Sequence, residues 1–140
     1  MLCIALDRSL DADHADICDG ANLMTPNADK IRSFRSQIPE FACKPGCHDC
    51  CGPVLTSTEE MARLPRKSRQ AREAALAELR CPHLGENGCT VYHERPLVCR
   101  LFGTTPRLAC PNGCKPVAPI DPAVAQEIFL FFKEMRHVLV

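Results

Sequence analysis

Apolar residues fall into a few separated stretches with helical spacing, and the sequence between them is irregular and studded with cysteine. Ile31, Phe34 and Ile38 lie three and four apart and predict one apolar helix face. Thr25 is suited to cap that helix, Pro26 to open it and Pro39 to end it. Ser57 with Glu60 has the form of a capping box and predicts a short helix through Met61 and Leu64, broken or kinked by Pro65. Residues 66–80, rich in alanine, glutamate and arginine, predict a further helix. Its basic patch (Arg66, Lys67, Arg69, Arg72) reads as a solvated face answering Glu73 and Glu78. The last helix starts near Ala123 and sets Val124, Ile128, Phe131, Phe132, Met135 and Leu139 on one face, which makes it the main core helix.

The intervening segments read differently. Residues 41–53 hold too much cysteine for a regular element of any length. Gly85-Glu86-Asn87-Gly88 is a turn that folds the chain back and brings Cys81 toward Cys89, with Thr90-Val91-Tyr92 as a short strand. Pro96 suits the first turn of a small helix carrying Cys99 and Arg100. A loop, Cys110-Pro-Asn-Gly-Cys114, and a proline-spaced linker over 116–122 follow. The fold class expected is an α-rich small domain with irregular cysteine-rich metal-binding loops and at most a short β-hairpin. At 140 residues the chain suits a single domain. That domain is placed at 25–140, after an acidic, aperiodic and poorly ordered segment 1–24 in which Met24 is a candidate initiator.

Composition changes the picture in two ways. Of the 46% hydrophobic residues, eleven are cysteine, tryptophan is absent, and twelve prolines and seven glycines interrupt the rest. The core is therefore thin, and something beyond apolar burial is expected to hold it. Lysine plus arginine balances aspartate plus glutamate at 17 each, so the basic excess that a phosphate backbone demands is missing and no nucleic acid partner is expected. No run of about 18 apolar residues predicts a membrane span. The stretch before Asp7 falls short of the about 7–15 apolar residues of a secretory signal. The expected compartment is the reducing cytoplasm, where clustered cysteines read as metal ligands rather than disulfides.

The densest chemistry is Cys43-Lys-Pro-Gly-Cys47-His-Asp-Cys50-Cys51. Two thiolates separated by two residues, as in Cys47 and Cys50, can wrap one tetrahedral ion, because the turn between them aims both sulfurs inward. Four cysteines within nine residues, with Cys81, Cys89 and Cys99 downstream, make a strong metal signal. Neighbouring side chains in extended backbone point apart, so Cys50 and Cys51 seldom serve one mononuclear ion. Either one of them packs nearby or the site is polynuclear. Nine cysteines over 43–114 exceed the four that one zinc takes, which favours two centres, or an iron–sulfur cluster beside a structural site. Cys3 and Cys18 read as small buried hydrophobes, and Cys110 and Cys114 stand evenly between an auxiliary site and structural thiols. His48, His83 and His93 rank below the thiols as ligands. A thioredoxin-like redox pair lacks its βαβ context.

Phe41-x-Cys43 through Cys47-x-x-Cys50-Cys51, then Cys81-Pro-His-Leu, Gly88-Cys89-Thr-Val-Tyr92 and Arg95-Pro-Leu-Val-Cys99-Arg100 resemble the CxxCxxCC (YkgJ-like) family of zinc- or iron-chelating proteins. The resemblance covers about residues 41–114, and Cys43 and Cys47 are separated by three residues where the family pattern has two. It implies metal chelation and, in some members, an iron–sulfur assignment or a place in protein-methylating enzymes. Arg95 and Arg100 fit it physically, since guanidinium groups beside several thiolates offset their net negative charge. Tyr92 serves either as a donor to sulfur or as core filling.

The expected metal ligands are thus Cys43, Cys47, Cys50, Cys51, Cys81, Cys89 and Cys99, with Arg95 and Arg100 alongside, binding iron (including an iron–sulfur cluster) or zinc. The function expected is metal binding. The alternatives are an adaptor with structural zinc that grips a protein partner through its helices, and an iron–sulfur protein associated with redox or methylation chemistry. Paired carboxylates, a nucleophile elbow and a phosphate-binding glycine loop are absent, so hydrolase and kinase readings lack support and enzymatic activity stays open.

Overall fold

The Thr25 hydroxyl accepts from the Ala28 amide at 3.1 Å and starts the first helix, α1, Pro26–Gln37. The computed structural model describes residues 25–139, so the expectations for segment 1–24, with Cys3, Cys18 and Met24, fall outside the described residues. Strand β1, Leu55–Ser57, leads into α2, Thr58–Met61, whose Ser57–Glu60 capping box is present with both bonds formed. Helix α3, Arg69–Ala77, precedes a hairpin of β2, Leu84–Gly85, and β3, Gly88–Cys89. A 3-10 turn, Tyr92–Glu94, and α4, Leu97–Leu101, follow. A second 3-10 turn, Pro106–Leu108, leads to α5, Pro122–Glu134, and β4, His137–Leu139.

The core lies where α1, α4 and α5 meet. Ile31, Phe34 and Ile38 face Leu97, Leu101, Ile128, Phe131 and Met135, with the Phe34 and Phe131 ring centroids 5.7 Å apart. The apolar faces expected of α1 and α5 are therefore the buried ones. Among the described residues, no helix is long and apolar enough to cross a membrane.

Helices, cysteine-bearing loops and a short hairpin make up the architecture, as the fold class anticipated, and a second strand pair adds to it. β1 pairs antiparallel with β4, setting Leu55 opposite Leu139 and Ser57 opposite His137. This pairing replaces the expected helical place of Leu139. α5 stops at Glu134 because Met135 turns to extended backbone, and Leu139 is exposed.

Two other boundaries are corrected. The helix expected over 66–80 is shorter, because the Ser68 hydroxyl accepts from the Ala71 amide at 3.1 Å and so fixes its start. It buries no residue. Arg69 pairs with Glu73 at 2.7 Å and Arg80 with Glu78 at 3.0 Å on the solvated surface. The strand expected at Thr90-Val91-Tyr92 lies earlier, at Gly88–Cys89, because both the amide and the hydroxyl of Thr90 bond back to the His83 carbonyl, at 2.9 and 2.7 Å. Tyr92 then enters a 3-10 turn.

Candidate metal centre

Segment 41–53 is held by turns rather than by a ladder. The Cys47 amide bonds to the Lys44 carbonyl at 3.0 Å and the Cys51 amide to the His48 carbonyl at 2.9 Å. The Cys81 amide bonds to the Cys51 carbonyl at 3.1 Å, tying the next cysteine segment to this one. The hairpin then returns the chain so that Cys89 stands opposite Leu84; Gly88, at φ +107°, takes a left-handed turn position that suits a residue without Cβ. Cys99 rides on α4.

The 110–114 loop completes the wall. The Asn112 side-chain amide donates to Cys47 Sγ at 3.0 Å and to Asp49 Oδ2 at 2.7 Å. Gly103 makes room for this loop. It sits at φ +83°, and a Cβ there would lie 2.6 Å from both the Cys114 carbonyl oxygen and the Phe41 ring.

One cavity of about 410 Å³ results, and all nine described cysteines line it as free thiols. Their electrostatic neighbourhoods overlap. Burial pushes the Cys50 thiol up, reinforced by the Cys43, Cys47 and Cys110 sulfurs. Burial also pushes Cys51 up, to about 12, but its sulfur neighbours beyond Cys50 are Cys89 and Cys81. Cys99 is raised by burial and then by Cys81, Cys89, Cys51 and Cys50. Cys50 and Cys51 are also neighbours of one another, so the two groups of thiols meet at this adjacent pair.

Around the sulfurs stand the residues of the 92–100 segment. The Tyr92 hydroxyl donates to the Phe41 carbonyl at 3.1 Å and lies 3.4 Å from Cys43 Sγ. Its single proton serves the carbonyl, so the thiol donates in the second contact. The Arg95 guanidinium stacks 3.7 Å over the Tyr92 ring at the cavity edge. Arg100 is placed elsewhere. Buried, it donates to the Arg95 carbonyl at 3.1 Å and to the His93 carbonyl, so it braces the turn that carries Arg95 and does not touch sulfur. Arg35 joins it on the His93 carbonyl at 2.8 Å.

The seven expected ligand cysteines are thus brought to one cavity, and Cys110 and Cys114 join them. Sequence spacing left those two open because only the Asn112 contact and the space at Gly103 tell where their loop lies. His83 ranked below the thiols by sequence. It is 3% exposed, its ring is at the cavity wall, and its Nδ1 is the buried side-chain polar atom without a hydrogen-bond partner among the described residues. A proline-flanked histidine carries no sequence signal of such isolation.

The donor set is soft sulfur with one imidazole, which suits zinc, iron and iron–sulfur clusters over magnesium or calcium. Among the described residues, no group of three or more cysteine, histidine or acidic side chains forms a ready-made ion cage. The thiols line the cavity wall. The model of a family described as a putative zinc- or iron-chelating domain matches residues 42–118. The chain belongs to the CxxCxxCC family. No curated protein and no solved structure matches the chain. The matched span of this CxxCxxCC domain starts next to Cys43 and ends beyond Cys114, so it takes in every cysteine of the cavity.

Proposed function

We propose that this protein chelates iron or zinc through Cys43, Cys47, Cys50, Cys51, Cys81, Cys89 and Cys99, with Arg95 offsetting the thiolate charge at the cavity edge. The observation that carries this reading is the convergence of nine free thiols from five separate stretches of chain on one cavity. Nothing in apolar packing rewards such a gathering, whereas a bound cation does. Binding requires thiolates, so loading releases protons. Iron is the favoured metal, because the sulfurs outnumber the four that one tetrahedral zinc takes and suit a cluster. A reducing compartment such as the cytoplasm fits nine free thiols.

Anaerobic purification followed by absorption spectroscopy and analysis for iron, zinc and acid-labile sulfide tests the reading. At least one metal per chain is expected. Broad visible absorbance with sulfide identifies a cluster, and a colourless protein with stoichiometric zinc identifies zinc. A folded, metal-free protein with every thiol open to alkylation ends the proposal.

A second reading, an adaptor with purely structural zinc, draws on α3, which buries no residue and ends near the exposed Leu76 and Leu79. It predicts zinc that does not exchange with a chelator under native conditions.

A further inference from the structure

We propose that the groove between α3 and β4 is a docking site for the acidic first segment of the same chain, residues 6–19. The inference does not depend on metal binding. Its ground is α3 itself. Isolated helices shorter than about 12–15 residues are marginal in water, and α3, at nine residues, buries none of them against the core. Leu76 on this helix and Leu139 on β4 are both exposed, and with Pro53 and Pro82 they line one groove of about 280 Å³. Leu55, opposite Leu139 in the strand pair, is exposed as well. Apolar groups gathered in this way gain by being covered.

Charge names the occupant. Arg69, Arg72 and Arg80 border the groove, against Glu73 alone. Arg69 pairs with Glu73 and Arg80 with Glu78, whereas Arg72 makes no ion pair among the described residues. Arg66 and Lys67, both exposed, stand just before the helix. The neutral total of the chain hides the counterpart to this basic surface. Five aspartates (Asp7, Asp11, Asp13, Asp16, Asp19) against Arg8 give residues 1–24 a net charge of −4, so residues 25–140 carry +4. Leu6, Leu10 and Ile17 are interspersed among those aspartates. An acidic segment with scattered apolar residues complements an apolar groove rimmed by arginine. Without periodicity of its own, such a segment is ordered only by the surface it meets.

Reach allows the contact. Asn27, at the start of α1, bonds to Glu59 of α2 at 3.3 Å, and α2 follows directly on β1, the partner of β4. Extended chain covers about 3.3 Å per residue, so Asp19 can lie about 20 Å and Asp7 about 60 Å from Thr25. The groove also shares a wall with the cysteine cavity. Cys51 and Gly52 line the cavity and Pro53 the groove, while Cys81 and His83 line the cavity and Pro82, between them, the groove. A docked segment therefore backs the stretches that present Cys51 and Cys81.

Carbodiimide coupling of carboxylates to lysine amines tests the proposal in the reduced full-length protein. Peptide mass spectrometry is expected to find Lys67, two residues before Arg69, joined to aspartates of segment 6–19 in preference to the equally exposed Lys44, Lys115 and Lys133. Arg72→Glu should cut that coupling about fivefold, the scale of one surface ion pair, with an unchanged thermal melt because α3 buries nothing. Should the melt fall, about 0.5 M salt added to the wild type decides instead, since charges are then screened within a few ångströms. The Lys67 coupling should drop in salt as it does in the variant. Absent Lys67 coupling, equal coupling to all four lysines, or a Lys67 link that survives both treatments overturns the docking. A link between isotope-labelled and unlabelled chains in a mixed sample assigns the groove to a second copy and overturns the intramolecular occupant.

Discussion

Glu60 Oε1 accepts the Leu97 backbone amide at 2.6 Å, so a buried carboxylate on α2 caps the helix that carries Cys99. The other oxygen of the same carboxylate takes the Thr56 hydroxyl at 2.8 Å and the Ser57 hydroxyl at 3.0 Å. One side chain therefore closes its own helix, joins strand β1 and orients the cavity wall. Replacing Glu60 by alanine strands these donors in the interior. A loss of about 3 kcal/mol is expected, the scale of buried bonds to a charged acceptor. Glu60→Gln is expected to lose less, because one amide oxygen still accepts. Urea unfolding measures both, and equal stability of Glu60→Ala and wild type would refute the role.

Gly103→Ala should separate packing from chemistry. The added methyl meets the Cys114 carbonyl and the Phe41 ring at 2.6 Å, on a backbone at φ +83°. A cost of about 2 kcal/mol is expected from the strained conformation. Alkylation of Cys110 and Cys114 should quicken while that of Cys81 and Cys89 holds steady. Uniform labelling rates across the four thiols would show that the loop does not depend on this glycine.

Arg100→Lys tests the brace behind Arg95. A lysine ammonium cannot span the His93 and Arg95 carbonyls as the guanidinium fork does. Destabilisation of about 1–2 kcal/mol follows. The lone tyrosine, Tyr92, reports on it directly, since its ring carries the stacked Arg95, and its fluorescence should shift. An unchanged spectrum and melt would mean that the turn holds itself.

Glu94 supplies a pH signature. Burial raises its carboxyl, but the Arg35 guanidinium at 3.2 Å and that of Arg63 at 3.1 Å outweigh this and hold it below the ordinary glutamate range. A depressed folded value means that its contribution is complete above the unfolded value, about 4.3, and fades as pH falls through the folded one. The contribution is small, because the carboxylate is well solvated. Glu94→Gln should therefore be less stable than wild type at pH 7, and the gap should narrow as pH falls below about 4.3. A gap that persists at low pH rules out the ion pair as its source.

Metal removal should expose the loops before the core. A strong chelator added to loaded protein is expected to open segments 41–53 and 81–114 to protease, while α1 and α5, packed through Phe34 and Phe131, persist longer. Identical digestion patterns with and without chelator would contradict a supporting metal.

Local spacing by itself determined α1, the Ser57–Glu60 capping box, the turn at 85–88, and the apolar faces Ile31–Phe34–Ile38 and Ile128–Phe131. Each is set by residues three or four apart that bond or pack within a single turn of chain. The same local reading marked seven of the cysteines that line the cavity. Tertiary structure decided what no local window contains. Pairing of β1 with β4 joins three-residue strands 80 positions apart, too short to announce themselves, and it takes Leu139 out of the helix. The 110–114 loop reaches the cavity through Asn112 on Cys47 and the bare Cα of Gly103, contacts spanning 65 and 11 residues that carry no periodic signal. Arg100 turned to backbone carbonyls because the 92–95 turn, also held by Arg35, presents those of His93 and Arg95 to its guanidinium. The isolation of His83 Nδ1 was likewise decided by the assembled cavity wall, since burial of a nitrogen is not a property of its neighbours in sequence.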